Sequence, residues 1–143
     1  GRGDMLPQSS SKAIEILNKN KKGFFLMIEG SQIDWAGHAN VADTLVEETI
    51  DFDNAVGKVL DFAEADGHTL VIITADHETG GVTIVDGDNQ SHKVKLNFST
   101  KDHTPILIPV YAFGPGAEDF NGIYENTDIF QKIYNSFRFE QNK

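Results

Sequence analysis

Two short runs of the sequence are apolar without interruption, Phe24-Phe25-Leu26-Met27-Ile28 and Leu70-Val71-Ile72-Ile73. Each stops abruptly at charged residues, the first at Glu29-Gly30 and the second, two residues on, at Asp76-His77-Glu78. A run of this length with polar or glycine flanks is the pattern of a strand buried on both faces, as in the centre of a mostly parallel sheet. In open α/β sheets ligands gather outside the carboxyl ends of the strands. A chain built on these two runs therefore points its acidic groups where chemistry is done.

The segments between and around the runs complete a layered pattern. Residues 1–11 read as a polar lead-in, and Ala13, Ile16 and Leu17 mark a short surface helix over 12–18. Val41, Leu45, Phe52, Val56, Val59, Leu60 and Ala63 predict a long helix from Val41 to about Ala65, with Gly67 as its C-cap. Val82–Val85 and Val94–Phe98 flank the turn signal Asp86-Gly87-Asp88-Asn89 and read as an edge hairpin. Pro109 breaks the apolar run from Ile106, so the regular strand is placed at Val110–Phe113. Ile129, Phe130, Ile133, Tyr134 and Phe137 form the stripe of a final helix capped by Asn126 or Thr127. The order helix, strand, helix, strand, hairpin, strand, helix predicts an α/β fold, a three-layer α/β/α sandwich over a mostly parallel sheet, occupying residues 12–143 as one domain.

Composition narrows the function. The formal charge is -10, from 22 acidic and 12 basic residues, and no lysine or arginine stripe exists, so nucleic acid is not an expected partner. The absence of cysteine excludes disulfides and every cysteine-based metal or redox motif. No run approaches the length of a membrane span, and Gly1-Arg2-Gly3-Asp4 does not open a signal peptide. Clustered acidic groups do attract hard and borderline cations.

Six residues are candidate metal ligands. Asp34 and His38 lie four apart and share a face if that segment is helical. Together they can hold a zinc, with His103 as a third ligand and a position left open. Asp76 and His77 can hold a second ion, and Glu29 is a hard oxygen donor suited to magnesium. Plainer readings stand beside these: Asp34 as a helix cap, His38, His77 and His103 as ordinary histidines, Asp76 as a polar strand stop, and Glu29 as half of a salt bridge. Thr79 with Gly80-Gly81 reads mainly as a turn. Two-ion sites serve phosphoryl transfer by activating the attacking oxygen and stabilising the leaving one.

Three strings then act together. FFLMIEGSQIDWAGHAN (Phe24–Asn40), TADHETGG (Thr74–Gly81) and DHTPILIPVYAFGPGA (Asp102–Ala117) resemble, in the same order, three metal-ligand segments of the alkaline phosphatase family, with the resemblance running from about 12 to 134. The resemblance implies a magnesium ligand at Glu29, a first zinc on Asp34, His38 and His103, and a second zinc on Asp76 and His77. It implies a parent that hydrolyses phosphate monoesters through two Zn2+ and one Mg2+ and a covalent phosphoenzyme, homodimeric and periplasmic or extracellular. The runners-up are a phosphodiesterase or phosphomutase of the same superfamily, or a non-catalytic metal-binding domain. The family's nucleophile, bridging aspartate and phosphate-binding arginine have no matching context in this chain, whose only arginines, Arg2 and Arg138, lie outside the motifs. The chain reads as a C-terminal portion, expected to be inactive alone and to self-associate.

Overall fold

The computed structural model describes residues 3–137; Arg2 and Arg138 lie outside them. Helix α1 spans Met5–Leu17. It starts seven residues before the predicted helix, so most of the expected polar lead-in is its first half. Pro7 is accommodated because it falls in the first turn, where no intrahelical donor is lost. Ser10 and Ser11 donate their hydroxyls back to the carbonyls of Leu6 and Pro7, at 2.7 and 3.0 Å. Ile14 is the buried anchor of the helix.

Helix α2 spans Gln32–Ala39 and ends at Asn40, whose left-handed backbone (φ 55°, ψ 42°) closes the C-terminus. Asparagine tolerates that conformation better than most residues. Helix α3 follows at Ala42–Asp66, within a residue of the predicted bounds. Its C-cap is Gly67, at φ 69°, donating to the Ala63 carbonyl at 2.9 Å. A glycine is needed there because a side chain resists positive φ.

Six strands follow: β1 Val71–Ile73, β2 Glu78–Thr79, β3 Thr83–Asp88, β4 Lys93–Asn97, β5 His103–Thr104 and β6 Tyr111–Phe113. A short 3₁₀ turn at Ala117–Phe120 and helix α4, Asp128–Ser136, complete the described residues. Thr127 precedes α4 at the predicted position, but its side chain makes no cap hydrogen bond.

The expected mostly parallel sheet is not what forms. The strands make three two-stranded sheets, β1–β6, β2–β5 and β3–β4, and all three are antiparallel. A continuous apolar run carries no information on the direction of its neighbour. Val71–Ile73 pairs with Phe113–Tyr111, a strand running the opposite way. The other run, 24–28, forms no helix and enters none of the ladders among the described residues, and it is not buried on both faces as expected: Phe25 and Met27 are 60% and 76% exposed.

Contacts divide the molecule into two compact units. The first takes residues up to Val59 together with His77–Ile106; the second takes Leu60–Asp76 and the described residues from Leu107. Ile14, Ala36 and Ala55 are buried in the first, and Ala63, Val71 and Phe120 in the second. In the second unit Gly114, at φ +99°, lies so close to the Thr69 carbonyl that a Cβ would stand 2.2 Å from its oxygen. There Lys132 donates to the Asp119 carbonyl at 2.6 Å and sits 4.4 Å over the Tyr124 ring, tying α4 to the 3₁₀ turn.

Candidate metal centre

The site lies wholly in the first unit, where α2 meets the two-residue ladder β2–β5. Asp34 and His38 sit one turn apart on α2, as their spacing predicts. His103 opens β5, whose partner β2 begins one residue after His77; Thr79 pairs with His103 and Glu78 with Thr104. Donor atoms of Asp34, His77 and His103 all lie within 4.8 Å of one another. His38 joins them: its Nε2 is 3.1 Å from His103 Nε2 and 3.4 Å from Asp34 Oδ1, while His103 Nε2 is 3.6 Å from the same oxygen. The His77 ring stacks on His103, with centroids 3.5 Å apart.

The donor set fits a metal. Two imidazole nitrogens facing each other at 3.1 Å need a shared proton or cation between them. A tetrahedral zinc with bonds of about 2.0–2.1 Å holds neighbouring ligand atoms about 3.3 Å apart. The triangle of Asp34 Oδ1, His38 Nε2 and His103 Nε2 has edges of 3.1, 3.4 and 3.6 Å, close to that span. The three side chains remain 38–47% exposed, so the face opposite the protein is open to solvent.

Surrounding groups orient these donors. His38 Nδ1 lies 2.5 Å from the Lys101 carbonyl oxygen. A carbonyl can only accept, so the hydrogen-bond pattern assigns the proton to Nδ1 and leaves the Nε2 lone pair for the site. Thr79 donates its hydroxyl to Asp34 Oδ1 at 2.5 Å and lies 3.2 Å from His77 Nδ1. Glu78 accepts from the Gly81 and Val82 amides at 3.1 and 2.9 Å, and from the Thr104 hydroxyl across the ladder. Burial pushes the Glu78 carboxyl up, but these hydrogen bonds, with the nearby His103, outweigh it and hold the carboxyl below its ordinary value.

Of the six sequence-predicted ligands, the structure brings four together: Asp34, His38, His77 and His103. Asp34, His38 and His103 form one triangle, and His77 stands beside Asp34 and His103 and not in a pair of its own. Glu29 is exposed in the segment before α2, and is in no three-residue donor group among the described residues. Asp76 is exposed on a bend and belongs to the second unit. Glu78, Thr79 and the Lys101 carbonyl escaped the sequence reading. The string TADHETGG contains the first two, but nothing in it says that a threonine read as part of a turn reaches a carboxylate 45 residues away.

Such a cluster of carboxylate and imidazole donors is of the kind that could hold a metal ion. The alkaline phosphatase family profile matches residues 4–96, and the chain belongs to that family. The match begins eight residues before the expected start, consistent with α1 being part of the fold. The chain is 34% identical to alkaline phosphatase 4 of Bacillus subtilis, over 90% of this chain and 42% of that protein. It is 38% identical to the alkaline phosphatase of Escherichia coli, over 90% of this chain and 31% of that protein. Among solved structures, the alkaline phosphatase from the Antarctic bacterium TAB5 superposes with a TM-score of 0.91 at 50% identity, over 99% of this chain and 43% of that one. The chain thus spans less than half the length of these relatives.

Proposed function

We propose that this chain carries the metal-binding part of a phosphate monoester hydrolase, with zinc held by Asp34, His38 and His103. The convergence of those three donors on a triangle of zinc-sized edges supports the reading. Asp76 and His77, adjacent in sequence, are the pair assigned to a second zinc, and Glu29 is assigned to magnesium. Bound divalent ions would supply Lewis-acid stabilisation of charge on phosphoryl oxygens. The chain's own residues hold and orient: Asp34 contributes a negative oxygen, Lys101 fixes the His38 tautomer, and Glu78 ties the strand of His103 to the turn after Thr79. The nucleophile and the arginine that holds phosphate are assigned to residues outside this chain, which alone turns over no substrate. Export to the periplasm or beyond the cell and homodimerisation of the parent go with this reading. Self-association of the chain is supported by the exposure of Phe25, Met27, Ile106 and Leu107. No helix among the described residues is long and apolar enough to cross a membrane.

Zinc analysis of the purified chain, dialysed at neutral pH against a small excess of the metal, tests this. The expected result is a zinc retained by the wild type and lost in His103→Ala. A wild type that retains none overturns the assignment, and p-nitrophenyl phosphate turnover abolished by His38→Ala overturns the claim that the chain is inactive alone.

A further inference from the structure

We infer that Thr79 is a positioning residue of the metal centre, acting on Asp34 and His77 at once through a single hydroxyl. The inference rests on the metal reading above but has its own observations. Thr79 Oγ1 donates to Asp34 Oδ1 at 2.5 Å, the oxygen that also faces His38 and His103. A hydroxyl has one proton to give. With that proton committed to the carboxylate, the Thr79 oxygen can only accept from His77 Nδ1, 3.2 Å away. His77 is therefore held as the Nδ1–H tautomer, and its Nε2 keeps the lone pair a metal requires. One side chain sets the orientation of the carboxylate and the tautomer of the imidazole.

The backbone is shaped to keep Thr79 in this position. Gly37, between the two ligands of α2, packs directly on it: a Cβ there would stand 2.9 Å from the Thr79 carbonyl oxygen, 3.0 Å from its Cβ and 3.1 Å from its γ-methyl. Gly37 is in the helix interior and is buried, a position where glycine costs helix stability. The close approach to Thr79 accounts for it. The hydroxyl reaches the ligands while the γ-methyl and carbonyl rest on α2, so the threonine joins the helix carrying Asp34 and His38 to the strand that follows His77.

Two readouts on the 143-residue chain test this apart from the metal assignment. The first needs no metal: long-range ¹⁵N–¹H NMR of the histidine rings at about pH 8.5, where an ordinary histidine is neutral. His77 is expected as Nδ1–H in the wild type and in Thr79→Ser, with Nδ1 losing the proton in the isosteric Thr79→Val. An unchanged His77 tautomer in Thr79→Val overturns the inference. The second is zinc affinity by competition with a chromophoric chelator. Thr79→Val is expected to weaken binding about 10–100-fold, as loss of an outer-shell partner does, with Thr79→Ser recovering most of it. Equal weakening by Ser and Val would make the role one of packing alone and overturn it. A wild type that binds no zinc defeats the metal assignment, while the tautomer readout still decides the role of Thr79.

Discussion

The first unit contains two antiparallel ladders that could hardly be held more differently. The β3–β4 hairpin is the longer, paired from Thr83↔Asn97 to Asp88↔Lys93 with a register shift between Ile84 and Asp86. Every residue of β3 is exposed, and the apolar Ile84, Val85 and Val94 lie open at 72%, 54% and 47%. The β2–β5 ladder pairs only two residues on each side. Yet it is bound from several directions: the Glu78 carboxylate takes three donors, Thr79 reaches Asp34 and His77, and Gly37 and Gly80 lie in close contact with their neighbours. Position is fixed in the second case by side-chain ties of long sequence separation, and ladder length counts for little. Backbone pairing suffices to form a hairpin, but a site needs atoms placed to within a fraction of an ångström.

This contrast can be broken by substitution. The largest effect is expected at Gly37→Val, whose branched side chain meets the Thr79 backbone; we expect a loss of about 3 kcal/mol in urea denaturation, from overpacking. A loss no greater than that of a surface change would mean that β2–β5 is as loosely held as the hairpin. At the hairpin, Ile84→Ala should stay within about 0.5 kcal/mol by the same measurement, because the side chain is already in water. The smallest effect concerns pH. Hydrogen bonds from the Ser91 hydroxyl and the Gln90 amide hold Asp88 below its ordinary value of 3.8. A lowered folded-state value means a contribution present above the unfolded value and lost as pH falls through the folded one. Carboxyl ¹³C NMR should show Asp88 titrating below 3.8, and Ser91→Ala should move its midpoint upward.

What the sequence disclosed follows the range of the forces involved. Local patterns were readable: α3 and its Gly67 cap, the start of α4, and the placing of Asp34 and His38 on one helical face all depend on residues within a turn or two. The hairpin was readable too, though the ladder runs on through Asp86, Gly87 and Asp88, which the composition marks as turn. The direction of the β1–β6 pair was not, because apolar runs are symmetric to reversal and its partners lie 38 to 42 residues apart. Glu29, Asp76 and His77 stood out by following apolar runs, and Asp34 and His38 by their spacing, but the place of His77 beside His103 did not. Whether His77 faces Asp76 or His103 depends on how β2 and β5 close a 26-residue separation from Glu78 to Thr104. Thr79 was hidden for the same reason: beside Gly80-Gly81 its short-range signal is that of a turn, and its long-range partner outweighs that signal.

The tie between His38 and Lys101 has a consequence for how such a site is free to change. The acceptor is a main-chain carbonyl, which every amino acid possesses, so the imidazole stays aimed whatever side chain residue 101 carries. Orientation and local charge are thereby uncoupled at one position: the lysine ammonium can be exchanged for a neutral or acidic group without disturbing the hydrogen bond beneath it. Lys101 is exposed and two residues from His103. A saturation library there would vary the local field while the His38 hydrogen bond is held constant, giving selection a dial for electrostatics that is separate from the one for ring orientation.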